Sequence, residues 1–109
     1  MYKFDVRFLE PAKEFIDNLD AKTREKMLFN IWKIKEINDP KLLTKLNKNI
    51  WEIRTRYQKK QIRLFAFWDK RDNQSLLLIA THGIVKKTQR IALKELNRAE
   101  ELRFKYFNI

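Results

Sequence analysis

The sequence predicts an α+β domain whose elements follow in the order β-α-α-β-β-β-α. Three observations point to it: residues 2–8 alternate apolar and polar, residues 12–34 place apolar side chains at helical spacing, and residues 51–80 return to alternation with aromatic and β-branched side chains. The chain has 109 residues with one Gly, two Pro and one Ser, and neither a repeat nor a flexible linker divides it. Residues 1–109 are therefore expected to form a single domain. A hydrophobic fraction of 44% supplies a core and argues against intrinsic disorder, despite 36% charged residues.

The first strand is expected from Tyr2 to Phe8, with Tyr2, Phe4, Val6 and Phe8 on one face and Lys3, Asp5 and Arg7 on the other. Pro11 suits the first turn of a helix, where its missing N–H is not needed, and Ala12, Phe15, Ile16 and Leu19 continue at helical spacing. Asp20 is an N-cap for a second helix whose stripe is Met27, Leu28, Ile31 and Ile34, ended by Asn38-Asp39-Pro40. The two make a helical hairpin. Leu42 to Leu46 is at most a short strand. Trp51 to Tyr57 alternates cleanly, with Trp51, Ile53, Thr55 and Tyr57 opposite Glu52, Arg54 and Arg56. Lys59-Lys60 form a hairpin tip, and Gln61 to Asp69 sets Arg63, Phe65 and Phe67 opposite Ile62, Leu64, Ala66 and Trp68. Residues 71–74 supply a turn. Leu76 to Ala80 is apolar on both faces, as a central strand would be, and runs into Thr81-His82-Gly83, which holds the sole glycine. Ile91 to Phe107 closes the chain as a helix, with Leu96, Ala99, Leu102 and Tyr106 facing inward.

Net charge is +11, and its placement is informative. From Lys41 to Arg63 eight basic residues accompany one acid, Glu52, for +7, and Lys86, Lys87 and Arg90 add +3 within five residues. The rest of the chain is nearly neutral. Basic charge gathered into two windows implies a polyanionic partner, with nucleic acid the first candidate.

Several chemistries are set aside. Without Cys there is no disulfide, thiolate ligand or Cys nucleophile, which suits the cytoplasm. No apolar run reaches the ~18 residues of a membrane span, and MYKFDVRF has no signal-peptide core, so no membrane role is expected. One Gly cannot build a phosphate-binding loop of the GxxxxGK[ST] or GxGxxG kind. One His and scattered carboxylates predict no metal and no cofactor. Ser75 sits in a turn with no small neighbours to expose it as a nucleophile.

What remains is Arg, Lys and His82. RNA carries its own nucleophile, so a protein that deprotonates the 2′-OH, aligns it with phosphorus and stabilises the added negative charge cuts the strand without a metal. Arg54 and Arg63 suit the charge-stabilising role, since guanidinium pairs bidentately with phosphate oxygens, and the two strands bring them together across the ladder. Crowding among cations lowers a lysine's pKa, so Lys86 or Lys87 can serve as general base or acid. His82 is a further catalytic candidate. Lys45, Lys48, Arg56, Lys59, Lys60 and Arg90 are candidates for holding RNA phosphates. Each has a plainer reading: Arg54 and Arg56 as solvated side chains with stems on the sheet, Lys59-Lys60 as a tip that blocks edge aggregation, His82 as a hydrogen-bonded structural residue. Phe65 and Phe67 are expected beneath the last helix, with base stacking as the alternative.

Three blocks carry a resemblance: LNKNIWEIR at 46–54, QIRLFAF at 61–67 and HGIVKKTQ at 82–89, followed by a helix opening near Ala92 and continuing through Ala99. On these the chain resembles the RelE/ParE superfamily of bacterial toxin–antitoxin toxins, closest to its HigB-like, phage-derived branch. In that branch the first block ends at an arginine matched by Arg54, the second carries one matched by Arg63, and the third holds paired lysines matched by Lys86 and Lys87. The resemblance implies a small twisted, mainly antiparallel sheet packed against the helical hairpin, with a C-terminal helix. It also implies a ribosome-dependent endoribonuclease that cuts mRNA in the A site, and a helix-turn-helix antitoxin encoded alongside. Relatives usually carry Thr-Pro where Ile91-Ala92 stand, and many place a catalytic Tyr or His near the C-terminus, where this chain has Tyr106 at the end of its last helix. The general base stays unassigned. Two other readings are a toxin of the same fold without nuclease activity, acting on a protein such as DNA gyrase, and a non-catalytic RNA-binding module.

Overall fold

The computed structural model describes residues 4–37, 39–72, 75–87 and 90–108. Expectations placed on Tyr2, Lys3, Asn38, Asn73, Gln74, Thr88 and Gln89 lie outside the described residues. The elements are β1 (Phe4–Phe8), α1 (Glu10–Asp17), α2 (Ala21–Ile37), β2 (Leu43–Lys45), β3 (Trp51–Tyr57), β4 (Lys60–Asp72), β5 (Ser75–Lys86) and α3 (Leu93–Phe107). They make an α+β fold in which one sheet, ordered β1-β5-β4-β3-β2, is antiparallel except where β1 runs parallel to β5. The short segment around Thr44 forms β2, adding an edge strand to the three expected in that half of the chain.

The helical hairpin forms as its end signals predict. Pro11 and Glu10 open α1, and Asp20 caps α2 by accepting from the Thr23 N–H at 3.1 Å and the Thr23 hydroxyl at 2.6 Å. Arg24 then reaches back, donating to the carbonyls of Ile16, Asp17 and Leu19, which closes the end of α1. One face of the sheet meets this hairpin. Ile53, Ile62, Leu64 and Ala66 are fully buried against Met27, Ile31 and Ile34 of α2 and Ala12 and Ile16 of α1. Each of the larger side chains contributes about 1.5–3 kcal/mol by leaving water. Leu28 departs from the expected stripe: it is 45% exposed, beside Phe29 and Trp32, because it lies a quarter-turn round the helix from Met27.

α3 covers part of the opposite face, burying Phe65 and Phe67 completely together with Ile79 and Ala99. Tyr106 and Leu96 pack there as expected. β4, rather than Leu76 to Ala80, occupies the centre of the sheet, and its own long run of buried residues reflects coverage on both faces.

β5 is longer than the sequence suggested and is interrupted by a bulge. Leu64 pairs with Gly83 and Ala66 with Ala80, so Thr81 and His82 together oppose Phe65. The extra residue exchanges the two faces of β5 beyond that point. Gly83 therefore faces α1, where a Cβ would collide with the Phe15 ring, and Ile84 and Lys86 turn to the α3 face.

Candidate functional site

Beyond the edge of α3 the sheet face carries charge. Arg54 pairs directly with Arg63, and Arg63 with Ile84; on the next rung Arg56 pairs with Gln61, and Gln61 with Lys86. Strand neighbours lie ~4.8 Å apart, so five polar side chains from three strands share one face within two rungs. The convergence of Arg54 and Arg63 follows from alternation alone. That of Lys86 depends on the bulge, because without it Lys86 would share the face of Ala80 and look toward the helical hairpin.

Four of these residues, Arg54, Arg56, Gln61 and Arg63, line an open pocket of about 480 Å³ together with Lys41, Leu42 and Thr55; Lys86 is not part of its lining. The edge of the pocket is held by backbone: the Arg54 N–H donates to the Leu42 carbonyl at 2.8 Å. On the reverse of the sheet, Asn30 of α2, 3% exposed, donates to the Thr55 hydroxyl at 3.2 Å and the Arg54 carbonyl at 3.4 Å, tying the strand to the helix beneath it.

The two arginines differ sharply. The Arg54 side chain is 47% exposed and that of Arg63 only 3%. Arg63 donates to its neighbour's carbonyl, Ile62, at 3.2 Å and to Gln61 Oε1 at 3.1 Å. Burial lowers its pKa, Glu52 opposes that effect, and Arg54 adds to it; a guanidinium nonetheless keeps its proton in a protein. Glu52, itself buried, lies 3.4 Å from Arg63 Nε and 3.8 Å from Arg54 Nε. Alternation over 51–57 places Glu52 on the face of Arg54 and Arg56, but not among the site candidates.

His82 lies in the bulge under α3, 1% exposed and stacked on Phe65 with ring centroids 4.8 Å apart. Nε2 is 3.2 Å from Glu95 Oε1 and Nδ1 3.0 Å from the Thr81 hydroxyl. Burial, reinforced by Arg98, lowers its pKa, so the ring is neutral at pH 7. A carboxylate only accepts, so Nε2 carries the proton and Nδ1 accepts from Thr81. Both nitrogens are engaged, as the structural reading of His82 anticipates.

The remaining candidates are dispersed. Lys87 is exposed just past β5, and Arg90 is exposed ahead of α3. Lys45 shares the face of Trp51, away from the pocket, and Lys48 sits in the β2–β3 connection at the other end of β3. The hairpin turn is Gln58-Lys59, with Gln58 at φ 54°, and Lys60 turns to the hairpin side, 3.1 Å from Asp20. Tyr106 is far from the arginines: its hydroxyl donates at 2.7 Å to Asp69, six residues and roughly 20 Å along β4 from Arg63. Among the described residues no group of three His, Asp or Glu is placed to hold a metal ion, and no helix is long and apolar enough to cross a membrane.

Residues 14–104, which include every pocket-lining side chain, match the family model described as phage-derived protein Gp49-like (DUF891). No curated protein matches the chain.

Proposed function

We propose that this chain, which belongs to the phage-derived Gp49-like family of RelE/ParE-like toxins, is a HigB-like toxin that cuts ribosome-bound mRNA and so halts translation. Membership of a toxin family implies an antitoxin partner. In this reading the partner is a helix-turn-helix protein. The observation that carries the reading is the two-rung cluster of Arg54, Arg56, Arg63, Gln61 and Lys86, the first four of which line an open pocket, an arrangement suited to a phosphodiester backbone.

The roles divide by exposure. Arg54 and Arg56, exposed at the rim, capture the phosphate; Arg63, fixed in the floor, stabilises the charge that builds on the non-bridging oxygens. The nucleophile is the 2′-OH of the RNA. One of Lys86 and Lys87 takes the hydroxyl proton as the 2′-oxygen bonds to phosphorus and the P–O5′ bond breaks, and water gives the departing 5′-oxygen its proton. The products are a 2′,3′-cyclic phosphate and a 5′-hydroxyl. His82 contributes from beneath, orienting Phe65 and the start of α3 rather than touching the phosphate. Lys48, Lys59 and Arg90 extend the positive surface toward ribosomal RNA, and Lys45 and Lys60 add to it from the other face.

The test is cleavage of mRNA in purified ribosomal complexes, with the ends of the fragments identified. Cyclic phosphate on the upstream fragment is the expected result. Ends bearing 5′-phosphate would indicate an activated water and overturn the mechanism; absence of cleavage together with inhibition of gyrase would overturn the function.

A further inference from the structure

We infer that Glu52 is a positioning residue of the pocket, a built-in counter-ion that holds Arg63 and Arg54 in place and competes with the phosphate they receive. The identity of that phosphate, a single-stranded RNA backbone, rests on the function proposed above; the competition does not.

Glu52 stands on β3 opposite Phe65 and is 5% exposed. Its two oxygens divide between the arginines, Oε2 at 3.4 Å from Arg63 Nε and Oε1 at 3.8 Å from Arg54 Nε. Neither contact is a hydrogen bond: Glu52 Oε2 and Arg63 Nε are both buried without a hydrogen-bond partner. A guanidinium has five N–H groups, and the bonds to Ile62 and Gln61 occupy two of those on Arg63. A buried cation so sparsely bonded beside an open pocket is a site made to accept a further anion. A carboxylate in that position has two opposed effects. It fixes two flexible side chains in one geometry, which favours the aligned reaction, and it repels any phosphate that arrives, which weakens binding.

That opposition gives the test. Glu52→Gln keeps the shape of the side chain and removes its charge. Affinity is read by fluorescence anisotropy with a labelled single-stranded 2′-deoxy oligonucleotide, which cannot be cleaved, at fixed ionic strength. The expected result is binding tightened roughly threefold as the repulsion is lost. Single-turnover cleavage of mRNA in saturated ribosomal complexes is expected to slow by on the order of 10²-fold, as alignment is lost. A residue serving only stability would lower both together with the melting temperature, and that outcome overturns the inference.

Should the Gln variant fold poorly, Glu52→Asp, which keeps the charge but shortens the reach, is expected to bind as the wild type does and to cleave more slowly; weaker binding would overturn the assignment. In an Arg63→Gln background, adding Glu52→Gln should change cleavage by no more than about threefold, because the nearer of its two arginines is gone and only the longer contact to Arg54 is left to position. A full additional loss sinks the idea. If the wild type binds the oligonucleotide and responds to Glu52→Gln but cuts no mRNA, the nuclease reading fails while the anion site stands. If the wild type does not bind the oligonucleotide, the site itself is wrong.

Discussion

The α3 face of the sheet carries buried charge at both ends, and the ends treat it differently. At the far end Asp69 is enclosed by complementary donors: Arg71 Nε and Nη2 at 3.0 Å, the Arg71 N–H at 3.1 Å and the Tyr106 hydroxyl at 2.7 Å. Arg71 also lies over the rings of Tyr106 and Phe107, 5.4 and 4.9 Å from their centroids. At the near end Arg54 and Arg63 share Glu52 at longer distances, with buried polar atoms left unbonded and a pocket open beside them. Both ends combine Arg with a buried carboxylate, so residue type does not separate them. Nor does open space, which borders both. Satisfaction does: a carboxylate with every oxygen bonded fastens α3 to β4, whereas an under-bonded arginine is placed to bind.

That contrast breaks first at Arg63. Arg63→Ala is expected to slow cleavage by on the order of 10²- to 10³-fold, comparable to losing one transition-state donor, while the chain still folds. Arg71→Ala, equally an arginine in a carboxylate cluster, should leave single-turnover cleavage within about twofold of wild type and lower only the melting temperature. If the two variants slowed cleavage alike, the division between binding end and fastening end would be wrong.

Next in size is the fastening end. Tyr106→Phe removes a donor to a buried carboxylate and is expected to cost about 1–3 kcal/mol in denaturant unfolding, with oligonucleotide affinity unchanged. Acid should act on the same group. Arg71, above all, holds Asp69 down to about 2 from an ordinary 3.8. Its folded pKa is depressed, so its contribution is fully present above pH 4 and disappears as the pH falls from about 4 toward 2. His82 acts at milder pH with the same sign. The unfolded ring takes up a proton near 6.5 and the buried one resists it, so stability declines as pH drops below that value. Unfolding midpoints measured from pH 8 to pH 2 should therefore fall in two stages, and Asp69→Asn should shrink the lower one, to which Asp20, held down by Thr23 and Lys60, also contributes.

An effect of similar size tests the bulge that carries Lys86 to the binding end. Gly83→Ala places a methyl group against Phe15 and is expected to destabilise by about 1–3 kcal/mol. Phe15→Leu in the same chain should restore part of that loss. The smallest effect belongs to the hairpin turn. Lys59→Ala should reduce the log–log salt dependence of RNA binding by about 0.7, as loss of one single-strand phosphate contact does, and Lys60→Ala by less, because Lys60 is engaged with Asp20.

Much of this molecule was legible in its sequence, for local reasons. Alternation over 51–57 and 61–67 placed Arg54, Arg56 and Arg63 on one face and Ile53, Ile62 and Leu64 on the other, and the register agrees. Pro11, Asp20 and Pro40 bounded the helices because capping and the missing proline N–H act within a turn of where they occur. Clustering of charge located the candidate surface. Three matters were settled by contacts between distant segments. The bulge at Thr81-His82 turned Lys86 toward the arginines, and a change of register follows from how two strands meet, which alternation within either one does not record. α3 buried His82 and left Arg54 exposed, a distinction that depends on where a helix comes to lie on the sheet. Glu52, outwardly one acid among eight bases, became the shared counter-ion of two arginines once β3 and β4 paired, because an ion pair's meaning depends on distance and burial in three dimensions.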